Sequence, residues 1–233
     1  MAGLQPRKFA CFLGGAAVAT WALPCALVAS ASAAPIATTH PCPDVEVVFA
    51  RGTGEPPGVG PTGQAFVDSL RARVGARSFR VYPVNYPASD DWPTGVDGIK
   101  DASAHVVSMA ASCPKTRMVL GGWSQGAAVM GFVTSAAVPD GVDPATVPKP
   151  LQPEVADHVA AVVLLGEPNV RAMNFLGEPP IVIGPMYAGR TIQLCVPNDG
   201  VCSDGLDFAV HDPDLYAQDG MVDQGAAFAE SHL

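Results

Sequence analysis

From residue 45 onward, short apolar runs alternate with stretches of helical spacing, and glycine or proline closes most of the apolar runs. Val45-Glu46-Val47-Val48-Phe49-Ala50 is apolar at nearly every position, the pattern of a strand covered on both faces. Phe79 to Val84 stops at Asn85-Tyr86-Pro87, Met118 to Leu120 runs into Gly121-Gly122, Val159 to Leu165 ends at Gly166-Glu167-Pro168, and Thr191 to Leu194 makes a last strand. Helices are predicted over Gly63 to Val74, from Ile99 to about Cys113, from Gly126 to about Ala137, and over Gly220 to Ser231. In the second, Ile99, Ala102, Val106 and Met109 share one face; His105 lies off that stripe, at a surface or packing position. Strands alternating with helices predict an α/β fold on a mainly parallel five-stranded sheet.

Three stretches fit no regular element. Residues 51–58 and 88–98 are glycine- and proline-containing loops, and 138–157 carries five prolines in what reads as a surface excursion. Residues 169–189 read as a long loop rich in apolar side chains, expected either to pack on the core or to line a groove.

Composition separates the N-terminus from the rest. Arg7 and Lys8 precede an apolar stretch from Phe9 to Val28, and Ala31-Ser32-Ala33 supplies small residues for cleavage. Residues 1–33 are predicted to be a signal peptide and 34–233 one secreted domain. A membrane anchor is the alternative for that stretch, but Gly14, Gly15, Pro24 and the small-residue exit speak against it, and Cys25 sits in a poor lipoprotein context. Cleavage leaves 11 Lys and Arg against 22 Asp and Glu, a net charge of −11. Such a surface repels nucleic acid and anionic lipid headgroups, so substrates are expected to be neutral. Four cysteines remain, Cys42, Cys113, Cys195 and Cys202, in an oxidising compartment. Cys195 and Cys202 are close enough to staple a short loop, leaving Cys42 with Cys113; the paired spacing of a zinc site is missing.

The chemistry gathers at Gly122-Trp123-Ser124-Gln125-Gly126, a G-x-S-x-G between a predicted strand and a predicted helix. A serine on that turn stands above the sheet, and the amide of Gln125, at a helix start, is free to stabilise an oxyanion. The serine needs a base and the base a carboxylate. His158 falls at the foot of a strand and His232 at the C-terminus, which leaves His211, in a loop after the last strand. Asp199, inside the Cys195–Cys202 segment, is the best-placed acid, with Asp204 and Asp207 as rivals. These acids match no calcium loop, and no metal is expected.

In order along 42–233, Ala50-Arg51-Gly52-Thr53, Asn85-Tyr86-Pro87, Gly121 to Gly126, the loop centred on Asp199, and His211 resemble the cutinase family, most closely its actinobacterial branch. The resemblance implies a lidless, three-layer α/β-hydrolase fold. It implies Ser124 as nucleophile, His211 as base and Asp199 as acid, with the amides of Thr53 and Gln125 as oxyanion hole. It also matches the pairings Cys42–Cys113 and Cys195–Cys202. Two departures stand out: Asn198-Asp199-Gly200 replaces a common Gly-Asp-Pro, and Asp212-Pro213-Asp214 follows His211, carboxylates expected to act on the imidazole. The expectation is a secreted, monomeric esterase without cofactor, acting on small-molecule, lipid or polyester esters of short to medium acyl chains. Its groove would run between residues 85–94 and 169–189. Removal of acetyl groups from polysaccharide, or a catalytically silent binding protein, are the alternatives.

Overall fold

The computed structural model describes residues 41–233, so the predicted signal peptide at 1–33 lies outside the described residues. The elements are β1 (Val45–Ala50), α1 (Gly60–Val74), β2 (Phe79–Pro83), α2 (Gly95–Ser112), β3 (Arg117–Trp123), α3 (Gln125–Val133), α4 (Pro153–Ala156), β4 (Val159–Leu165), α5 (Val170–Leu176), α6 (Pro185–Ala188), β5 (Thr191–Leu194), α7 (Pro213–Gln218) and α8 (Met221–Ser231). The five strands lie in the order β2-β1-β3-β4-β5 and every neighbouring pair is parallel. Their C-terminal ends therefore share one edge, where open α/β sheets place their chemistry.

Alternate residues of the central strands feed two cores. Val48, Leu120, Val162 and Leu164 pack against Ala102, Val106 and Met109 of α2 and Val129 of α3. Val47, Phe49, Val119 and Val163 pack against Phe66 and Leu70 of α1 and Val222, Ala226 and Ala229 of α8. The result is three layers, helix on sheet on helix, which is why the central strands read as continuous apolar runs. Glu46 is the exception inside β1. It is fully buried, with His105 Nε2 at 3.0 Å and the Arg80 guanidinium at 3.7 Å. The His105 ring stacks on Tyr82 at 3.5 Å, so this histidine is a packing residue that satisfies a buried acid.

Residues 169–189 depart from the expected loop. The Asn169 side chain accepts from the Ala172 amide and starts α5, Gly177 ends it in the left-handed conformation (φ 73°), and Pro185 opens α6. The apolar residues divide between the two expected fates: Met173 and Tyr187 are buried, while Phe175 is 90% exposed. Within 138–157 one helical turn forms, α4, with Pro153 at its first position. Disulfides join Cys42 to Cys113 and Cys195 to Cys202. The first ties the start of β1 to the end of α2, and the second closes a loop just past the C-terminal end of β5.

Candidate active site

β3 ends at Trp123 and α3 begins at Gln125, so the chain reverses over one residue. Ser124 absorbs the turn with φ 54° and ψ −118°, a conformation costing about 1–3 kcal/mol for a residue with a side chain. The flanking glycines are steric requirements. A Cβ on Gly122 would stand 2.2 Å from the Gly126 carbonyl oxygen, and one on Gly126 would stand 2.0 Å from that of Ala50. The Ser124 amide donates to Leu165 O at 2.9 Å, fixing the turn to β4.

His211 bridges the other two candidates. Its Nε2 lies 2.8 Å from Ser124 Oγ and its Nδ1 2.8 Å from Asp199 Oδ2. The carboxylate accepts at Nδ1, so that nitrogen carries the hydrogen and Nε2 is left to receive the serine proton. Asp199 is fully buried. Its Oδ1 accepts from the amides of Val201 (2.7 Å) and Cys202 (3.3 Å), and its Oδ2 from His211 and from the Tyr216 hydroxyl (2.7 Å). Burial pushes this carboxyl up, but the bonds from His211, the Val201 amide and Tyr216 outweigh it and hold it below its ordinary value. Burial, and then the bond to Asp199, push the Tyr216 phenol far up, so it remains a donor.

Tyr216 as a direct partner of the acid has no signal in the sequence beyond an aromatic residue near His211. Trp123 is a second such case. Its indole stacks on the His211 ring at 4.5 Å and 16°, while Tyr216 meets the same indole edge-on at 4.5 Å.

The other candidates are occupied elsewhere. Asp207 caps the turn at 208–210 through the Ala209 amide (3.0 Å), and Asp204 is exposed. The Asp212 carboxylate caps α7, accepting from the amides of Asp214 (2.9 Å) and Leu215 (3.3 Å), and so serves a helix start. Asn198 sits at φ 73°, which asparagine tolerates and which suits the glycine of the common pattern. His158 immediately precedes β4, at the opposite edge of the sheet, and His232 Nδ1 lies 2.8 Å from Phe228 O at the end of α8. Cys195, Asp199 and Cys202 form a cluster of potential metal donors, but the sulfurs are bonded to each other and the carboxylate already has four donors.

The amides of Thr53 and of Gln125, the latter next to Ser124 in the chain, have no intramolecular acceptor among the described residues. The loop carrying Thr53 is bolted to 85–89. Buried Arg51 donates to Glu55 O (2.8 Å), Tyr86 O (2.7 Å) and Pro87 O (3.2 Å), and its guanidinium lies over the Tyr86 ring. Tyr86 donates its hydroxyl to Arg51 O, Glu55 accepts from the Gly52 amide (2.6 Å), and Gly54 donates to Ala88 O (2.6 Å). The Arg51-Gly52-Thr53 and Asn85-Tyr86-Pro87 motifs are thus two halves of one clamp.

Residues 41–233 match the family model described as cutinase. The chain belongs to the cutinase family. Culp5 of Mycobacterium tuberculosis is 58% identical over 168 residues, covering 72% of this chain and 95% of Culp5. The phospholipase Culp4 of the same organism is 43% identical over 232 residues, covering 100% of this chain and 94% of Culp4. Among solved structures, the catalytic core of acetyl xylan esterase from Trichoderma reesei superposes with a TM-score of 0.66 at 25% identity, covering 83% of this chain and all of that one. This cutinase-family chain is a carboxylic-ester hydrolase of the serine type, on an α/β-hydrolase fold without a large lid.

Proposed function

We propose that Ser124 is the nucleophile, His211 the general base and Asp199 the acid that orients it, in a two-step hydrolysis of neutral esters. His211 takes the Ser124 proton as Oγ attacks the ester carbonyl, and the amides of Thr53 and Gln125 receive the oxyanion. His211 then gives that proton to the departing alkoxide. Water, deprotonated by the same nitrogen, releases the acid and restores the serine. The observation that carries this reading is the position of His211, 2.8 Å from both partners.

The substrates we assign are esters presented at a lipid or polyester surface. Val170 and Phe175 on α5, and Leu206 and Phe208 on the approach to His211, are all exposed. α5 is held to the acid loop by Arg171, which donates to the carbonyls of Gly200 (3.1 Å) and Gly205 (2.7 Å). Apolar side chains around an acidic protein's site suit an uncharged interface. The likeness to acetyl xylan esterase supports a second reading, deacetylation of polysaccharide. Secretion after cleavage at Ala33, and action as a monomer, complete the proposal; the N-terminus of protein recovered from culture medium tests the cleavage.

Hydrolysis of p-nitrophenyl esters from acetate upward, beside Ser124→Ala, tests the assignment. Ser124-dependent turnover that rises from acetate to octanoate supports it, whereas activity confined to acetate favours the polysaccharide reading. A folded protein with no Ser124-dependent turnover and no labelling by a fluorophosphonate overturns both.

A further inference from the structure

The geometry of the loop at 51–55, which carries the Thr53 amide, turns on Glu55. Gly52 N donates to Glu55 Oε2 (2.6 Å), Gly54 N to Ala88 O (2.6 Å) and Glu55 N to Gly52 O (3.3 Å). Among these four consecutive amides, that of Thr53 alone has no acceptor among the described residues. It belongs to the peptide whose carbonyl oxygen is Gly52 O. Glu55 therefore grips that peptide twice, with its own amide on the oxygen and its carboxylate on the amide one residue earlier. Its carbonyl is used as well, accepting from Arg51 Nε at 2.8 Å.

The same loop is pressed against both sides of the elbow. A Cβ on Gly52 would stand 2.5 Å from Trp123 Cδ1, and one on Gly126 would stand 2.5 Å from Arg51 O. Residues 51–52 thus lie against the residue before Ser124 and the residue two after it, and Thr53 comes next along the chain. A glycine also makes room for the carboxylate: a Cβ on Gly60, at φ 70°, would stand 2.0 Å from Glu55 Oε2. Stability alone gives no reason for a carboxylate here. Glu55 Oε1 is buried without a partner, which disfavours the fold. Burial raises this carboxyl above its ordinary value, against the Gly52 bond and the Arg51 charge.

We propose that Glu55 is the positioning residue of the oxyanion site, holding the Gly52–Thr53 peptide so that the Thr53 amide meets the charge formed when Ser124 attacks. The proposal rests on the catalytic assignment above and adds a residue that acts through the Thr53 amide. A neutral ester carbonyl needs little from that amide, whereas the oxyanion needs a donor already aimed at it. Losing the hold therefore costs turnover rather than substrate binding. The Arg51 guanidinium, bonded to the same residue, offsets the carboxylate's own charge.

The test compares Glu55→Gln, which keeps the side chain's length and an acceptor oxygen, with Glu55→Met, which keeps the length and loses the acceptor. Glu55→Met is expected to lower kcat for p-nitrophenyl butyrate about a hundredfold with KM within about threefold of wild type. Glu55→Gln is expected to stay within about fivefold in both. An alkyl trifluoromethyl ketone forms an adduct with Ser124 that carries an oxyanion, and its affinity for Glu55→Met is expected to fall in step with kcat/KM. A kcat within about threefold of wild type in folded Glu55→Met, a loss confined to KM, or a Glu55→Gln as impaired as Glu55→Met overturns the proposal. Glu55→Ala takes the place of Glu55→Met if circular dichroism shows the latter unfolded. Wild-type turnover that survives Ser124→Ala overturns the catalytic assignment and this role with it, whereas Ser124-dependent turnover indifferent to Glu55→Met overturns this role alone.

Discussion

The loop closed by Cys195 and Cys202 and the segment 138–150 are both irregular, and both lie close to the elbow, yet they are held in opposite ways. In the first, a buried carboxylate receives four donors, a disulfide closes the backbone, and Arg171 reaches across from α5. In the second, hydrogen bonds stay within the segment or reach only its neighbour Gln152, and prolines block the amides that would tie it down. Proton transfer tolerates errors of a fraction of an ångström, so its mount is over-determined. The segment 138–150 contributes no group to that transfer, and its backbone is left with few ties to the rest of the fold.

If that contrast is right, substitutions in the acid loop cost far more than those in the proline-rich segment. Asp199→Asn is expected to lower kcat by about 10⁴-fold with the fold intact, because the imidazole loses the partner that sets its tautomer; steady-state kinetics beside circular dichroism check this. Replacing Cys195 and Cys202 together by serine is expected to cost about 2–3 kcal/mol in urea unfolding and to lower kcat as the Val201 and Cys202 amides loosen. An acid-loop mount that keeps full activity without its disulfide would break the contrast.

Glu167, just past β4, sharpens it. Burial raises this carboxyl to about 7, the bond from Gln193 offsets that only in part, and its Oε1 is buried without a partner. A raised carboxyl stabilises the fold fully below about pH 4.5 and loses that contribution as pH rises towards 7, on the order of 3 kcal/mol. Asp199, held low, does the reverse, and its contribution fades only as pH falls below the ordinary carboxylate range. Thermal unfolding between pH 4 and 8 is expected to slope downward in the wild type and to flatten in Glu167→Gln.

Tyr216→Phe removes one donor from Asp199 and keeps the ring. The carboxylate then holds the imidazolium more tightly, which moves the acid limb of kcat/KM to higher pH, while the loss of one tether on Asp199 loosens the acid and is expected to lower kcat about tenfold. A packing role alone would leave the limb in place. The smallest effect is expected in the loose segment: Asp143→Ala removes an exposed turn contact to Ala145 and is expected to change stability by less than about 1 kcal/mol in urea unfolding.

The elements that position the triad are legible in the sequence because their causes are local. Gly122 and Gly126 mark a crowded turn, the apolar runs mark strands covered on both faces, and the short spacing of Cys195 and Cys202 marks a staple. α5 falls where a loop is expected: Asn169 and Gly177 are ordinary start and stop residues, but the seven residues between them are too few to show a helical period. Tyr216, Trp123 and the partnership of Glu46 with His105 were not legible. Each depends on side chains brought together from separate elements, and an aromatic residue at those positions looks the same whether it fills space or holds a proton in place.

The stack of Trp123 on His211 has a bearing on rate as well as on order. An indole face attracts a cation more than a neutral ring, by about 0.5–2 kcal/mol. A general base gains a proton as the serine attacks, so the ring acquires a positive charge in that step. The cation–π gain is therefore absent from the resting enzyme and present near the transition state, the condition under which an interaction accelerates a reaction. The strand that delivers the nucleophile thus also carries, one residue earlier, the surface on which the resulting charge is stabilised.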